Sequence, residues 1–194
     1  MYSELRIAIL GGTFNPPHNG HLSIANTVLQ ETDSEEILLI PANIPAHKGS
    51  DSATHWRHRW KMLEGVALEH PGFTADDCEI VRGGISYTID TIYDIMERYQ
   101  PSGRLGLVIG DDLFDGFHTW KSVDELLSLV DLIVARREIP TKNHVSYPHV
   151  HLSNALLTIS SREIREYVRV RQDITRYVPE SVERYIRLNG LYVD

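Results

Sequence analysis

Two histidines three residues apart, His18 and His21, close the segment Gly11-Gly12-Thr13-Phe14-Asn15-Pro16-Pro17-His18-Asn19-Gly20-His21. Glycines let a backbone approach a ligand closely, and imidazole nitrogens hydrogen-bond phosphate oxygens. At a helix start, residues three apart point to one side, so both rings can meet the same phosphate. The helix start adds free N–H groups, which suit an anion. An isolated HxxH arises readily by accident. The whole loop, placed between a strand and a helix, is far more specific. No GxGxxG occurs in this loop and no GxxxxGK occurs in the chain, so neither the dinucleotide fingerprint nor the P-loop applies.

These residues need a frame. Residues 5–10 form a short apolar run stopped by Gly11-Gly12, and Leu22, Ile24, Ala25, Val28 and Leu29 follow with helical spacing. Residues 36–40 read as a buried strand stopped by Pro41. Trp56, Trp60, Leu63, Val66 and Ala67 form a second helical stripe, which leaves Arg57, Arg59 and Lys61 to a solvated face. Ile89, Ile92, Tyr93 and Met96 mark a third helix, residues 105–109 a strand, 123–129 a short helix and 132–135 another strand. Strands without polar alternation, separated by helices, predict an α/β fold. The expected form is a Rossmann-like doubly wound parallel sheet with helices on both faces. The loop after the first strand then sits at the usual ligand crevice. Residues 160–169 and 179–188 read as two helices with no strand between them, a short helical C-terminal tail (about 158–194), with Pro179 at a helix N1 position. No linker or repeat divides residues 1–194, so one domain is expected.

Composition excludes several classes. The 194 residues include 27 Asp+Glu against 19 Lys+Arg, a net charge of −8, which argues against a nucleic-acid duplex or an anionic membrane as partner. No stretch approaches the roughly 20 apolar residues of a membrane span. The single cysteine, Cys78, cannot form an intramolecular disulfide, which suits a reducing, cytoplasmic setting. His144, His149 and His151 match no specific zinc spacing, so no metal ligands are assigned.

The loop resembles the HxGH signature of the nucleotidyltransferase superfamily, and within it the bacterial nicotinate-nucleotide adenylyltransferase family. Pro45-Ala46-His47-Lys48 resembles that family's PPHK loop, Ser86-Tyr87-Thr88 its SYT segment, and Ile109-Gly110-Asp111-Asp112 its IGxD, with Trp120 at the expected distance. Ile159-Ser160-Ser161-Arg162-Glu163-Ile164-Arg165 resembles ISSTxIR, and Gly190-Leu191-Tyr192 its ending. The motifs run in order along nearly the whole chain.

The resemblance implies transfer of AMP from ATP to nicotinate mononucleotide, giving deamido-NAD and pyrophosphate by in-line attack without a covalent intermediate. An anionic phosphate nucleophile needs no strong base, so positioning and charge stabilisation carry the rate. By resemblance, His18, His21 and Arg165 are the catalytic contacts to the triphosphate. Gly11, Gly12, Thr13, Phe14, Gly110, Asp112, Ser160 and Ser161 complete the ATP site. Asp112, after a strand-ending glycine, suits ribose hydroxyls, and Ser160 and Ser161 stand at a helix start. On the acceptor side, Ser86, Tyr87 and Thr88 open a helix whose N–H groups favour the nicotinate carboxylate over a neutral amide. Trp120 suits stacking on the pyridine ring. His47, Lys48 and Arg137 are the cations for the mononucleotide phosphate, with Arg136 an alternative to Arg137. Mg²⁺ is expected, bound mainly through ATP phosphates and water.

Three residues depart from the family pattern inside its motifs: Asn15 where Asp is usual, Ala46 for the second proline of PPHK, and Arg162 for Thr in ISSTxIR. Asn15 is expected to remove a charge near the phosphates. Two other readings stand beside the first. One is a sibling transferase with another phosphorylated acceptor, such as phosphopantetheine. The other is a non-catalytic nucleotide sensor. A homo-oligomer is left open.

Overall fold

The computed structural model describes residues 6–46, 54–136, 147–155 and 159–193. The expected site residues His47, Lys48 and Arg137 lie outside the described residues. In chain order the elements are β1 (Ile7–Gly12), α1 (Asn19–Glu31), β2 (Glu36–Pro41), β3 (Ile44–Pro45), α2 (Trp56–Glu69), β4 (Phe73–Ala75), α3 (Cys78–Arg82), β5 (Ile85–Ser86), α4 (Thr88–Tyr99), β6 (Leu105–Gly110), α5 (Phe114–Phe117), α6 (Val123–Leu129), β7 (Val130–Ala135), β8 (Val150–His151), α7 (Ser161–Arg169) and α8 (Glu180–Leu188). A 3-10 turn, Asp111–Leu113, joins β6 to α5.

Six strands form one parallel sheet in the order β4-β2-β1-β6-β7-β8, and β3 pairs with β5 separately. Successive side chains on a strand point to opposite faces, so a strand apolar at every position must be covered twice. Ala8 and Leu10 of β1 join Leu22, Ala25 and Val28 of α1 and Met62, Leu63 and Val66 of α2. Ile7 and Ile9 join Ile89, Ile92 and Ile95 of α4 and Leu126 of α6 on the other side. The helical tail shares the first core, where Ile164 of α7 and Val182 and Ile186 of α8 are buried. Close packing on that face depends on Gly106, where a Cβ would lie 2.9 Å from Ile133 Cδ1 and 3.0 Å from Ala8 Cβ. The chain winds from β1 to β2 and β4 in one direction and to β6, β7 and β8 in the other. The reversal beside β1 opens a crevice at the carboxyl ends of the strands, where the glycine loop stands.

Several details differ from the sequence reading. β3, β4, α3, β5 and β8 have only two to five residues each and carry too little periodicity to detect. Pro179 caps α8 and does not occupy its first turn. Arg59, assigned to a solvated face, is 2% exposed, whereas Trp56 and Trp60 are only half-buried. Burial depresses the Arg59 pKa. The charge is tolerated because two carbonyl oxygens receive it: Nε donates to Thr54 at 3.1 Å and Nη1 to Thr13 at 2.9 Å.

A buried polar network fixes α4. Asp76, just after β4, accepts from Arg98 Nη2 at 2.7 Å, Tyr99 Oη at 2.7 Å and the Cys78 amide at 3.0 Å. Burial alone would raise the Asp76 carboxyl, but these donors outweigh it and hold it below the usual carboxylate range. Thr91 of α4 donates to buried Glu79 of α3 at 2.6 Å and accepts from Arg82 at 2.8 Å. The two contacts lock α4 from its last turn to its first, and its N-terminus carries the SYT segment. Burial, with Asp76 beside it, pushes the Cys78 thiol up, so it is not a nucleophile.

Candidate active site

The two histidines of the loop build the start of α1. His18 is its N-cap: Nδ1 accepts from the Gly20 amide at 3.1 Å, and the His18 amide donates to His21 Nδ1 at 3.2 Å. The pair forms a capping box made of imidazoles instead of hydroxyl and carboxylate. With both Nδ1 atoms accepting, the proton of each neutral ring is on Nε2. Phe14, 1% exposed, packs its ring 4.8 Å from that of His21. A Cβ on Gly12 would meet the Phe14 ring at 3.3 Å, so the second glycine admits that ring.

His18 and His21 line a cleft of about 300 Å³ with Gly20, Arg136, Asn154, Ser160 and Glu163. Ser160 caps α7: its Oγ accepts from the Glu163 amide at 3.2 Å, and its own amide donates to Glu163 Oε2 at 2.8 Å. Two helix N-termini, those of α1 and α7, therefore meet at one cleft, an arrangement that suits a polyanion. Asn154 is 5% exposed and clamps the Arg136 backbone, donating to its carbonyl at 2.8 Å and accepting from its amide at 2.9 Å.

Other expected residues lie elsewhere around the loop. Ser161 Oγ donates to the Pro16 carbonyl at 2.8 Å, and Arg165 Nη1 to the Asn15 carbonyl at 2.7 Å. Both brace the loop, and neither lines the cleft. Arg165 faces a separate groove with Arg162, Glu166, Arg169 and Tyr192. Gly11 and Gly12 end β1, and Thr13 follows them. Gly110 ends β6, and Asp112 stands exposed in the 3-10 turn beyond it. Asn15 is buried, and its Oδ1 accepts from Tyr192 Oη at 2.8 Å. Its side chain is thus engaged by the C-terminal tail, and Asn15 is not a lining residue of the cleft.

Ser86, Tyr87 and Thr88 gather at the N-terminus of α4. Ser86 Oγ accepts from the Asn43 amide at 2.9 Å, which ties the chain after β2 to β5. Tyr87 is the N-cap of α4 with no side-chain cap bond, and Thr88 opens the helix. Half-buried Trp120 packs 4.9 Å from the Phe117 ring. Its neighbour Lys121 lies 4.7 Å from the Tyr87 ring centroid and pairs with Asp90 at 2.9 Å. Tyr87 and Asp90, at the start of α4, are thereby joined to the Trp120–Lys121 turn.

The sequence model of the cytidylyltransferase-like family matches residues 9–167. The chain belongs to that family. It is 40% identical over 190 residues to the probable nicotinate-nucleotide adenylyltransferase of Borrelia garinii subsp. bavariensis, covering 97% of this chain and 95% of that protein. It is 37% identical over 189 residues to the nicotinate-nucleotide adenylyltransferase of Bacillus subtilis, covering 96% and 98%. The fold is also that of Plasmodium falciparum nicotinic acid mononucleotide adenylyltransferase complexed with NaAD, at a TM-score of 0.78 and 20% identity, covering 97% of each chain.

The sequence reading left out of the site Asn154 and Glu163, which line the cleft, Lys121, which lies against Tyr87, and Arg59 and Tyr192, which hold the loop. Lys121 could have been found from its place beside Trp120. Arg59 and Tyr192 carry no local signal, because their acceptors lie far along the chain. Among the described residues no three His, Cys, Asp or Glu side chains come together as a metal site, and no helix is long and apolar enough to cross a membrane.

Proposed function

We propose that this chain transfers AMP from MgATP to nicotinate mononucleotide, releasing pyrophosphate and forming deamido-NAD. The observation that carries the reading is the imidazole capping box at the cleft where α1 and α7 begin. The full-length likeness to named nicotinate-nucleotide adenylyltransferases supplies the acceptor. A phosphate oxygen of the mononucleotide attacks the α-phosphorus, the bond from it to the β-bridging oxygen breaks, and the electron pair leaves with pyrophosphate. No side chain need take a proton from an already anionic nucleophile. His18 and His21 donate through Nε2 to the phosphate oxygens on which negative charge grows, and Arg136 adds a cation at the same cleft. Ser160 and the first amides of α7 take the leaving pyrophosphate. Arg165 and Ser161 hold the loop in place. The amides at the start of α4 receive the nicotinate carboxylate, and Trp120 stacks on the pyridine ring. Mg²⁺ arrives as part of the substrate, held by phosphate oxygens and water. The buried lone thiol of Cys78 supports a cytoplasmic setting.

The test follows the label from nicotinate mononucleotide carrying ¹⁸O in its phosphate. The reading requires all of the label in the dinucleotide and none in pyrophosphate. Label in pyrophosphate, or no dinucleotide at all, overturns it.

A further inference from the structure

Four donors from distant parts of the chain grip acceptors of the glycine loop. Arg59 donates to the Thr13 carbonyl at 2.9 Å, Arg165 to the Asn15 carbonyl at 2.7 Å, Tyr192 to Asn15 Oδ1 at 2.8 Å and Ser161 to the Pro16 carbonyl at 2.8 Å. None of the four lines the cleft of His18, His21 and Ser160. They hold the loop from outside that cleft.

Tyr192 comes furthest along the chain, and its path is built. After α8 the chain reverses through Gly190 at φ 56°, with the Gly190 amide donating to Arg187 and the Leu191 amide to Ile186 at 3.1 Å. This is a Schellman termination, and Leu191 then packs on the core. Tyr192 itself has φ 64°, and Phe14 has φ 48°. Bulky residues rarely adopt the left-handed region and persist there where surrounding contacts impose it, often at functional sites. Both flank one residue: Phe14 precedes Asn15, and Tyr192 binds its side chain. Phe14 in turn packs its ring 4.8 Å from His21. A path of contacts therefore runs from the Tyr192 hydroxyl through Asn15 and Phe14 to His21.

We propose that Tyr192 is a positioning residue for adenylyl transfer, acting through Asn15 to set the loop backbone that places Phe14 and His21. The proposal rests on the reading of the cleft as the AMP-transfer site. Burial pushes the Tyr192 hydroxyl up to about 12, so it remains a neutral donor at physiological pH.

The test is a double-mutant cycle on the full chain with Tyr192→Phe, Asn15→Ala and both together, plus Asn15→Asp, which keeps an acceptor. Tyr192→Phe should lower kcat about tenfold, with KM for nicotinate mononucleotide held to within about twofold and the melting temperature lowered by only a few degrees. The double variant should be no slower than Asn15→Ala alone, and Asn15→Asp should keep a large share of the rate. Wild-type kcat in Tyr192→Phe overturns the proposal, as do effects that multiply in the double variant. If the wild-type chain makes no dinucleotide, the reading of the reaction fails separately. The same cycle is then read as the dissociation constant of a non-hydrolysable ATP analogue, and multiplying effects again overturn the role of Tyr192.

Discussion

The imidazoles of His18 and His21 lie 3.8 Å apart, centroid to centroid, each with Nδ1 committed to a backbone amide of the same helix start. One nitrogen of each ring is thus structural. Capping fixes the tautomer and the ring direction together, so these side chains are organised before substrate arrives.

The two roles separate by substitution. Asparagine is a good N-cap, so His18→Asn should keep α1 and change stability by less than about 1 kcal/mol. It should still lower kcat about 100-fold, because a donor to the growing charge is lost. His21→Ala should lose at least as much rate. Circular dichroism melting and steady-state kinetics decide together. Near-normal turnover in His21→Ala would remove that ring from the chemistry.

Arg59 should act on stability before it acts on rate. Arg59→Leu removes the donor to both Thr13 and Thr54. Urea unfolding should show a loss of about 2–3 kcal/mol, since carbonyl groups are left without partners. A loss below about 0.5 kcal/mol would show that water replaces the guanidinium freely.

Asp76 predicts the acid limb of stability. Its carboxyl is held below the unfolded value of 3.8, so its contribution is fully present above that pH. The contribution declines as pH falls from there through the lower folded-state value. Asp76→Asn should therefore be less stable near neutrality, by about 1–3 kcal/mol, and show a flatter decline below about pH 4. Parallel pH-stability curves for the two proteins would refute this.

The proposed stacking of the pyridine ring on Trp120 predicts that Trp120→Ala raises KM for the mononucleotide acceptor more than KM for ATP. Equal changes in both constants would take Trp120 out of the acceptor site.

What was legible in the sequence was local. Apolar runs such as residues 36–40 announce doubly covered strands, and the HxGH loop announces its own place between β1 and α1. Ser160 and Glu163 announce a cap because their partners are each other. Long-range pairing was not legible. Arg59 looked like a surface charge because its acceptor, Thr13, is 46 residues away. Tyr192 looked like a chain ending because Asn15 is 177 residues away. Asn15 was expected to matter by removing a charge near phosphate, yet its side chain accepts from Tyr192 and Asn15 does not line the cleft. The same long-range logic applies to Asn154, whose amide fits both backbone groups of Arg136, 18 residues earlier.

The measurement that bears most directly on the central claim is pyrophosphate release from MgATP with three acceptors tested separately: nicotinate mononucleotide, nicotinamide mononucleotide and phosphopantetheine. An anion at the uncapped start of α4 is favoured over a neutral amide, so kcat/KM should be at least tenfold higher with the nicotinate form, which is about 1.4 kcal/mol. Phosphopantetheine should give no release above background. Equal rates with the nicotinate and nicotinamide forms, or release with phosphopantetheine alone, would contradict the assignment of Tyr87, Thr88 and Trp120 to the acceptor.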